Sequence, residues 1–146
     1  MTGRIATAQV HIDARIERVW RALTDPADVR EWMFGTTLET DWTPGSPISW
    51  SGEYQGRPYR DKGQVIEVDE PRSLTVTHFS PLTGLPDEPG NYHTVSYVLT
   101  DEGERTRVAI TQDNNTTHEQ VDHSRANWQQ ALKALKAHVE AGPTPA

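Results

Sequence analysis

Imidazole and phenol side chains alternate with apolar residues in two segments in the middle of the chain. His78 lies two residues after a valine, and His93 and Tyr97 occupy alternate positions of a later segment. Side chains two residues apart in a β-strand point to the same face of the sheet, so these groups would face the same way as their apolar neighbours. Imidazole gains and loses a proton near neutral pH and a phenol can donate one, so this arrangement could support acid–base catalysis.

Aromatic and polar residues hold equivalent positions in the neighbouring predicted strands. Trp50 and Tyr54 share one face of segment 47–54, and Gln112 follows two aliphatic residues at the same spacing. A buried polar group without a partner costs about 1–3 kcal/mol, which makes a solid apolar core an unfavourable location for such side chains. We therefore predict a partly hydrated cavity on this face. Its predicted ligand-binding residues are Trp32, Trp50, Tyr54, His78, His93, Tyr97, Gln112, Trp128 and Leu132.

A second interpretation of these residues stays open. β-Bulges are common in curved sheets and shift the alternation, which would place the polar side chains in solvent and leave an ordinary core. Trp128 is compatible with both interpretations because it lies in the middle of a predicted helix, on the face toward the sheet. Its indole could anchor the core with one face of the ring and line a pocket with the other.

The sequence offers little support for a metal site or for a nucleophilic hydrolase. His118 and His123 are five residues apart, which places them about 140° apart around a helix. His118 and Asp122 have a suitable spacing but supply only two ligands. The chain contains no cysteine, no G-x-S-x-G motif and no phosphate-binding glycine loop. We therefore expect neither a metal nor a cofactor.

Length and charge limit the class of protein. The chain has 146 residues, with 14 Lys and Arg against 21 Asp and Glu and a net charge of −7. This length suits one domain, and the acidic balance disfavours binding to nucleic-acid phosphates. No apolar segment reaches the roughly 18 residues of a membrane span, and the first ten residues lack the apolar stretch of a signal peptide. We expect one cytoplasmic domain over 1–146, monomeric or homodimeric, with flexible ends at 1–4 and 142–146.

Strand and helix periodicities follow one another along the chain. Residues 6–13 alternate like a half-buried strand, and apolar residues then recur with helical spacing over 15–23. Asp25 and Pro26 are typical of the start of a second short helix, which would extend to about Trp32. Strands are predicted near 36–42, 47–54, 58–69, 73–80, 91–100 and 105–113. The loop 81–90 contains too many prolines for regular structure.

A long helix is predicted from about Thr117 to Glu140, a segment without Gly or Pro and with apolar residues along one face. The sheet is the only large apolar partner available to that face, so the helix should lie on the sheet. Short connections between strands favour antiparallel neighbours. The predicted class is therefore α+β, with a curved antiparallel sheet, a long C-terminal helix and two short helices.

Several short motifs follow one another in a characteristic order. They are IDARIERVWRALTDP at 12–26, PGSPISW at 44–50, GQVIEVDEP at 63–71 with Leu74, VSYVLT at 95–100, TRVAITQ at 106–112, and Trp128 with Leu132. Their order resembles that of START-like (SRPBCC) proteins, and in particular the branch named after the activator of heat-shock-protein-90 ATPase (AHSA-like). The resemblance covers nearly the whole chain. It implies the helix-grip fold, in which a curved seven-stranded antiparallel sheet wraps around the C-terminal helix and encloses a cavity.

Three functions are compatible with this resemblance, because one fold supports many activities. The hypothesis we favour is a binding protein for a small hydrophobic or amphipathic ligand, held in the cavity between the sheet and the C-terminal helix. The second is an enzyme like the polyketide cyclases and aromatases, in which His78 or His93 moves a proton together with Tyr97 or Tyr54. The third is a module that binds a chaperone or another protein. This sequence resembles only the START-like part of the eukaryotic activators, whose separate N-terminal domain contacts the chaperone.

Overall fold

The computed structural model describes residues 1–141, without the side chain of Tyr54. Its helices are α1 (Ile16–Thr24), α2 (Pro26–Trp32) and α3 (His118–Ala141). Its strands are β1 (Arg4–Ile12), β2 (Thr37–Glu39), β3 (Pro47–Tyr54), β4 (Arg57–Asp69), β5 (Ser73–His78), β6 (His93–Asp101) and β7 (Thr106–Asn115). The flexible end predicted at 142–146 lies outside the described residues.

The seven strands form one antiparallel sheet in the spatial order β1-β7-β6-β5-β4-β3-β2. Strands β2 to β7 are neighbours in the order of the sequence, and β1 pairs with β7 at one edge. This arrangement follows from the short connections, which bring each strand back beside the one before it. The predicted α+β class and helix-grip fold are confirmed.

The two short helices form where the sequence supplies an apolar stripe and a cap. In α1, Ile16, Val19, Trp20 and Leu23 are buried, as their helical spacing predicts. At the start of α2, the Asp25 carboxylate accepts a hydrogen bond of 2.8 Å from the Ala27 amide. Pro26 follows this N-cap at the first helical position, where its missing N–H is no disadvantage.

Helix α3 packs chiefly along β1 and also contacts β7, α1 and α2. Leu132 and Leu135 are fully buried on its apolar face. Its polar side chains also reach the exposed edge of the sheet, where the Lys136 ammonium donates to the backbone carbonyl of His11 at 2.8 Å. The helix therefore covers an edge strand that would otherwise offer unpaired backbone groups to other chains.

Several predicted boundaries differ from the structure. β1 begins at Arg4, and the Thr2 amide donates to the Asp113 carboxylate at 2.9 Å, so the first residues are joined to the sheet. β2 stops at Glu39 because the chain turns at Trp42, which has a positive φ of 60°. The proline-rich loop contains two short 3₁₀ turns, at Pro81–Thr83 and Pro89–Asn91, since each proline supplies the φ of a first helical position.

Candidate functional site

A cavity of about 330 Å³ lies between the sheet, α3 and the loop that follows α2. Phe34, Glu53 and Leu82 are exposed residues of its wall, so the cavity opens to solvent at their end. Its described lining residues are Trp32, Met33, Phe34, Thr36, Trp50, Glu53, Tyr59, Asp61, Val76, His78, Ser80, Leu82, Val95, Tyr97, Trp128 and Ala131. The structure thus has a cavity that is open to solvent and whose wall is largely aromatic and aliphatic.

Aromatic rings form much of this wall. Trp50 lies edge-on to His78, with ring centroids 5.2 Å apart, and Tyr97 lies edge-on to Trp128 at 6.0 Å. Edge-to-face contacts of this kind are favourable because the positive edge of one ring meets the negative face of another. The rings are consequently held in place by one another and present a rigid apolar surface to the cavity.

The indole N–H groups of two wall residues already donate hydrogen bonds to the protein. The indole N–H of Trp32 donates to the Ala22 carbonyl at 2.8 Å, and that of Trp128 donates to the Gln112 side-chain oxygen at 2.6 Å. Burial raises the pKa of the Tyr97 phenol far above its ordinary value, so the phenol stays neutral. Neither indole N–H is available to a ligand, and both rings act as apolar surface.

A carboxylate and an imidazole meet on the opposite part of the wall. Asp61 on β4 and His78 on β5 are joined by a contact of 2.8 Å between Oδ2 and Nε2. Because an ionised carboxylate only accepts hydrogen bonds, His78 Nε2 carries the proton. The second carboxylate oxygen, Asp61 Oδ1, is buried and has no hydrogen-bond partner among the described residues. This pair places two ionisable side chains together in the cavity wall.

A glycine allows β4 and β5 to come close enough to bring this pair together. A Cβ atom at Gly63 would overlap the backbone carbonyl of Thr77 on β5. Beside this contact, Lys62 and Phe79 exchange backbone hydrogen bonds of 3.0 and 2.8 Å. Any larger side chain at Gly63 would push the two strands apart at the level of the Asp61–His78 pair.

The mouth of the cavity is shaped by the loop between α2 and β2. The Thr36 hydroxyl donates to the Met33 carbonyl at 2.7 Å, so it accepts the hydrogen bond of 2.6 Å from the Tyr59 hydroxyl. These bonds fasten the loop to β4. Phe34, at the tip of the loop, has a positive φ of 55° and a side chain that is 73% exposed. A bulky residue in this strained conformation is unusual, and here it holds an aromatic ring at the opening.

The structure brings five of the predicted ligand-binding residues to the cavity wall and places three elsewhere. Those on the wall are Trp32, Trp50, His78, Tyr97 and Trp128. Gln112 lies behind the wall, where it accepts from the Trp128 indole, and Leu132 is fully buried in the core. His93 lies at the end of the sheet. The side chain of Tyr54 lies outside the described residues, so its role stays a prediction.

His93 is not a wall residue, and it lies beside an irregularity in β7. The register between β1 and β7 shifts at Arg4 and Ala6, and the extra residue of β7 near Asn114 adopts a positive φ of 58°. This bulge turns Asp113 inward, and its backbone carbonyl accepts a hydrogen bond of 2.8 Å from His93 Nδ1. The imidazole is therefore half-buried and bonded to the backbone at the end of the sheet, neither on the cavity wall nor in solvent.

Two polar wall residues that carry the chemistry of the cavity, Asp61 and Tyr59, are absent from the sequence prediction. Both lie on β4, where Tyr59, Asp61, Gly63 and Val65 follow one another at two-residue spacing. That alternation was a usable signal, because Val65 is fully buried and fixes the inward face. The exposed Phe34 and Glu53 at the mouth have no comparable signal in the sequence.

The described part of the chain contains neither a cluster of metal ligands nor a helix suited to crossing a membrane. Among residues 1–141, no three His, Asp or Glu side chains come together as metal ligands. None of the helices described here combines the length and the apolar character that crossing a bilayer requires.

A seven-stranded antiparallel sheet gripping a C-terminal helix, with a cavity between them, defines a START-like protein of the AHSA-like type. Residues 13–140 match the family model of the activator of Hsp90 ATPase homolog 1-like proteins, and the chain belongs to that family. The resemblance found in the sequence motifs is thereby confirmed. No curated protein matches the chain.

Solved structures agree with this assignment. The chain is similar to ChR145 from Cytophaga hutchinsonii, with 45% identity over 97% of each chain and a TM-score of 0.84. It shares its fold with the Aha1 dimer from Colwellia psychrerythraea, at 20% identity over 96% of this chain and 98% of that one, with a TM-score of 0.74. It also shares its fold with DynU16, a protein of the dynemicin biosynthetic locus, at 21% identity over 97% of this chain and 49% of that one, with a TM-score of 0.79.

Proposed function

We propose that this protein binds a small hydrophobic or amphipathic molecule in the cavity between the sheet and α3. The observation that carries the proposal is the largely aromatic cavity of about 330 Å³, which is open to solvent and has a few polar side chains in its wall. Ligand sites are typically concave and mostly apolar, with a few polar groups that orient the ligand. Since a cavity of about 150 Å³ holds benzene, this one suits a molecule of about 13 non-hydrogen atoms.

Binding of 2-(2-naphthyl)ethanol tests this proposal, because the probe has the expected size and carries no charge. Trp50→Ala removes a wall residue and should weaken the affinity by about tenfold or more, as expected for a lost aromatic contact. Trp42→Ala is the matched control, since Trp42 is a half-buried tryptophan outside the wall. Trp42→Ala should lower the melting temperature by about as much as Trp50→Ala does, while the affinity for the probe stays close to that of the parent protein.

The thermal shift produced by the probe separates ligand binding from the protein-partner hypothesis. A ligand that binds only the folded state raises the melting temperature, because it stabilises that state by RT ln(1 + [L]/Kd), where [L] is the free ligand concentration. Equal affinity of the parent protein and Trp50→Ala would contradict the assignment of the site. No binding and no thermal shift with 2-(2-naphthyl)ethanol would favour a surface that acts on a protein partner.

An enzyme of the cyclase or aromatase type is the second candidate, and the Asp61–His78 pair favours it. With its Nε2–H held by the carboxylate, His78 presents Nδ1 as the nitrogen able to accept a proton. Such a group contributes about 10²–10⁴-fold to a rate. Conversion of a linear poly-β-ketone thioester, followed by the absorbance of the aromatic product, should then fall by this factor in His78→Phe while probe affinity is retained. No conversion by the parent protein would exclude this candidate.

A further inference from the structure

Gln112 lies behind the cavity wall on β7, and its side chain joins two residues of α3. Its side-chain oxygen accepts a hydrogen bond of 2.6 Å from the Trp128 indole, and its amide nitrogen donates to the Ser124 hydroxyl at 3.3 Å. Ser124 and Trp128 are four residues apart in α3, so they lie on the same face of the helix, one turn from each other. One glutamine side chain therefore links the wall residue Trp128 to the helix turn that precedes it.

The hydrogen bonds continue from Ser124 to the end of β7. The Ser124 hydroxyl donates to the Asn115 side-chain oxygen at 2.9 Å. The Asn115 amide donates in turn to the backbone carbonyls of Arg4 and Gln112, at 3.0 and 3.1 Å. Because Ser124 and Asn115 are both buried, water competes little for these bonds. Gln112 is thus bonded to a rigid part of the sheet and of the helix at the same time.

This chain of hydrogen bonds can run in one direction only. It begins at the Trp128 indole N–H, which donates and cannot accept, and it ends at backbone carbonyls, which accept and cannot donate. Turning the Gln112 amide over would bring its NH₂ group against the indole N–H, so that two donors would meet without an acceptor. The protein therefore fixes the orientation of this amide before any ligand binds.

The position of the Trp128 ring contributes to the shape of the cavity. With its N–H bonded to Gln112, the half-buried indole lies edge-on to Tyr97, at an angle of 86° and a centroid distance of 6.0 Å. A donor in this position that has lost its acceptor is unfavourable, so without Gln112 other orientations of the ring become populated. Any of them would break the contact with Tyr97 and change the wall against which a ligand packs.

We infer that Gln112 is a positioning residue of the ligand site, which keeps the Trp128 indole in the orientation that presents apolar surface to the ligand, while Ser124 and Asn115 keep Gln112 itself in place. This inference rests on the proposed function and specifies how one part of the site is ordered. Gln112 acts through Trp128 and is not itself a residue of the cavity wall.

Exchange of the Trp128 indole hydrogen with water, measured by NMR, tests this inference without a ligand. The indole resonance is assigned by its absence from the spectrum of Trp128→Phe. Gln112→Leu keeps a side chain of similar size but removes the acceptor, and it should accelerate the exchange by about tenfold, as expected for the loss of one hydrogen bond. Gln112→Glu should keep the exchange slow, because its carboxylate can accept from both the indole and the Ser124 hydroxyl.

Affinity for 2-(2-naphthyl)ethanol, measured by isothermal titration at pH 7, tests the consequence for the site. Gln112→Leu should weaken binding by about fivefold or more, and Gln112→Glu should bind within about threefold of the parent protein. Gln129→Leu is the matched control, because Gln129 is an exposed glutamine of α3 that donates to the Gln9 carbonyl outside the cavity wall. Both the affinity and the exchange at Trp128 should be unchanged in this control.

The outcomes distinguish this inference from the proposed function. Equal affinities of Gln112→Leu and the parent protein, or equal exchange rates at Trp128, would overturn the positioning role while leaving the cavity as a binding site. Weak binding by Gln112→Glu despite slow exchange would also overturn it, because the affinity would then not depend on the bond to the indole. If the folded parent protein does not bind the probe, the proposed function fails, and the exchange rates still decide whether Gln112 orders the indole.

Ser124→Ala decides the matter if Gln112→Leu fails to fold. This variant leaves the acceptor of the indole in place but removes the group to which the Gln112 amide donates. The amide is then free to turn over, so the exchange at Trp128 should become faster than in the parent protein. Unchanged exchange in Ser124→Ala would overturn the inference.

Discussion

Replacing Gly63 by alanine should destabilise the protein strongly, because the added Cβ would overlap the Thr77 carbonyl. Overpacking of this kind costs about 1–3 kcal/mol. Separating the strands would also weaken the backbone hydrogen bonds between Lys62 and Phe79, each worth about 1 kcal/mol. We therefore expect a loss of about 3 kcal/mol, and with an m value of about 1.5 kcal/mol per M the urea midpoint should fall by about 2 M.

The control for this prediction is Gly90→Ala. A Cβ at Gly90 would meet no atom within 4 Å, and the residue has no positive φ. Its replacement should leave the midpoint unchanged or raise it slightly, because alanine restricts the unfolded chain. The variant at Gly63 should also lose probe affinity, since the widened strands separate Asp61 from His78. Equal midpoints for the two alanine variants would refute the argument that close strand contact at Gly63 positions the site.

Two further predictions concern the mouth of the cavity and the acid side of the stability curve. Phe34→Gly should raise the free energy of unfolding by about 1 kcal/mol by relieving the positive φ, and should weaken probe binding by removing the ring at the opening. A stability below that of the parent protein in urea titrations would contradict it. For Asp28, burial by itself raises the pKa, but hydrogen bonds and charges from His138 and Arg18 outweigh it and hold the pKa below 3.8. Its contribution to stability is therefore present above about pH 4 and is lost as the pH falls through the lowered pKa. Asp28→Asn should consequently reduce the change in the urea midpoint between about pH 5 and 2. The same pH dependence in the variant and the parent protein would argue against this role.

Helices and strands in which apolar residues recur at a regular spacing could be predicted from the sequence. The spacing in α1 identified its buried residues, and β3 has the predicted bounds 47–54. In such segments apolar residues recur several times at the same spacing, so a single unusual residue does not hide the pattern. β2 and the ends of β5 and β7 were less accurate because they depend on single turns and bulges, whose position a local pattern does not reveal.

Five aromatic and imidazole residues of the cavity wall could be found for the same reason. Alternation tells which face of a strand a side chain occupies, and it placed Trp50, His78 and Tyr97 correctly on the inner face. It fails for His93 because this residue begins β6, beyond the last β6–β7 pair at Val95 and Gln112, and its imidazole bonds to the Asp113 carbonyl there. Assignment to a face is therefore reliable in the middle of a strand and poor at its end.

The position of Asp61 in the cavity wall depends on the register between β3 and β4. The register tells which residues lie opposite each other, whereas alternation tells only which face of the sheet a side chain occupies. Gln55 and Gly56 form a two-residue turn with positive φ values of 52° and 75°, and this turn pairs Tyr54 with Arg57. Counting back along both strands from such a turn places Asp61 opposite Trp50, so this half of the site follows from the hairpin alone.

The contact of Asp61 with His78 does not follow in the same way. Strands β4 and β5 change register between Val65 and Glu67, so a count from their connecting turn would misplace His78 by one residue. The close approach at Gly63 is what restores the contact further along the strands. A half-buried carboxylate–imidazole pair adds little to stability by itself, since the cost of removing it from water offsets most of its attraction. Asp61 Oδ1 adds a further cost, because this buried oxygen has lost its hydrogen bonds to water and has no partner among the described residues.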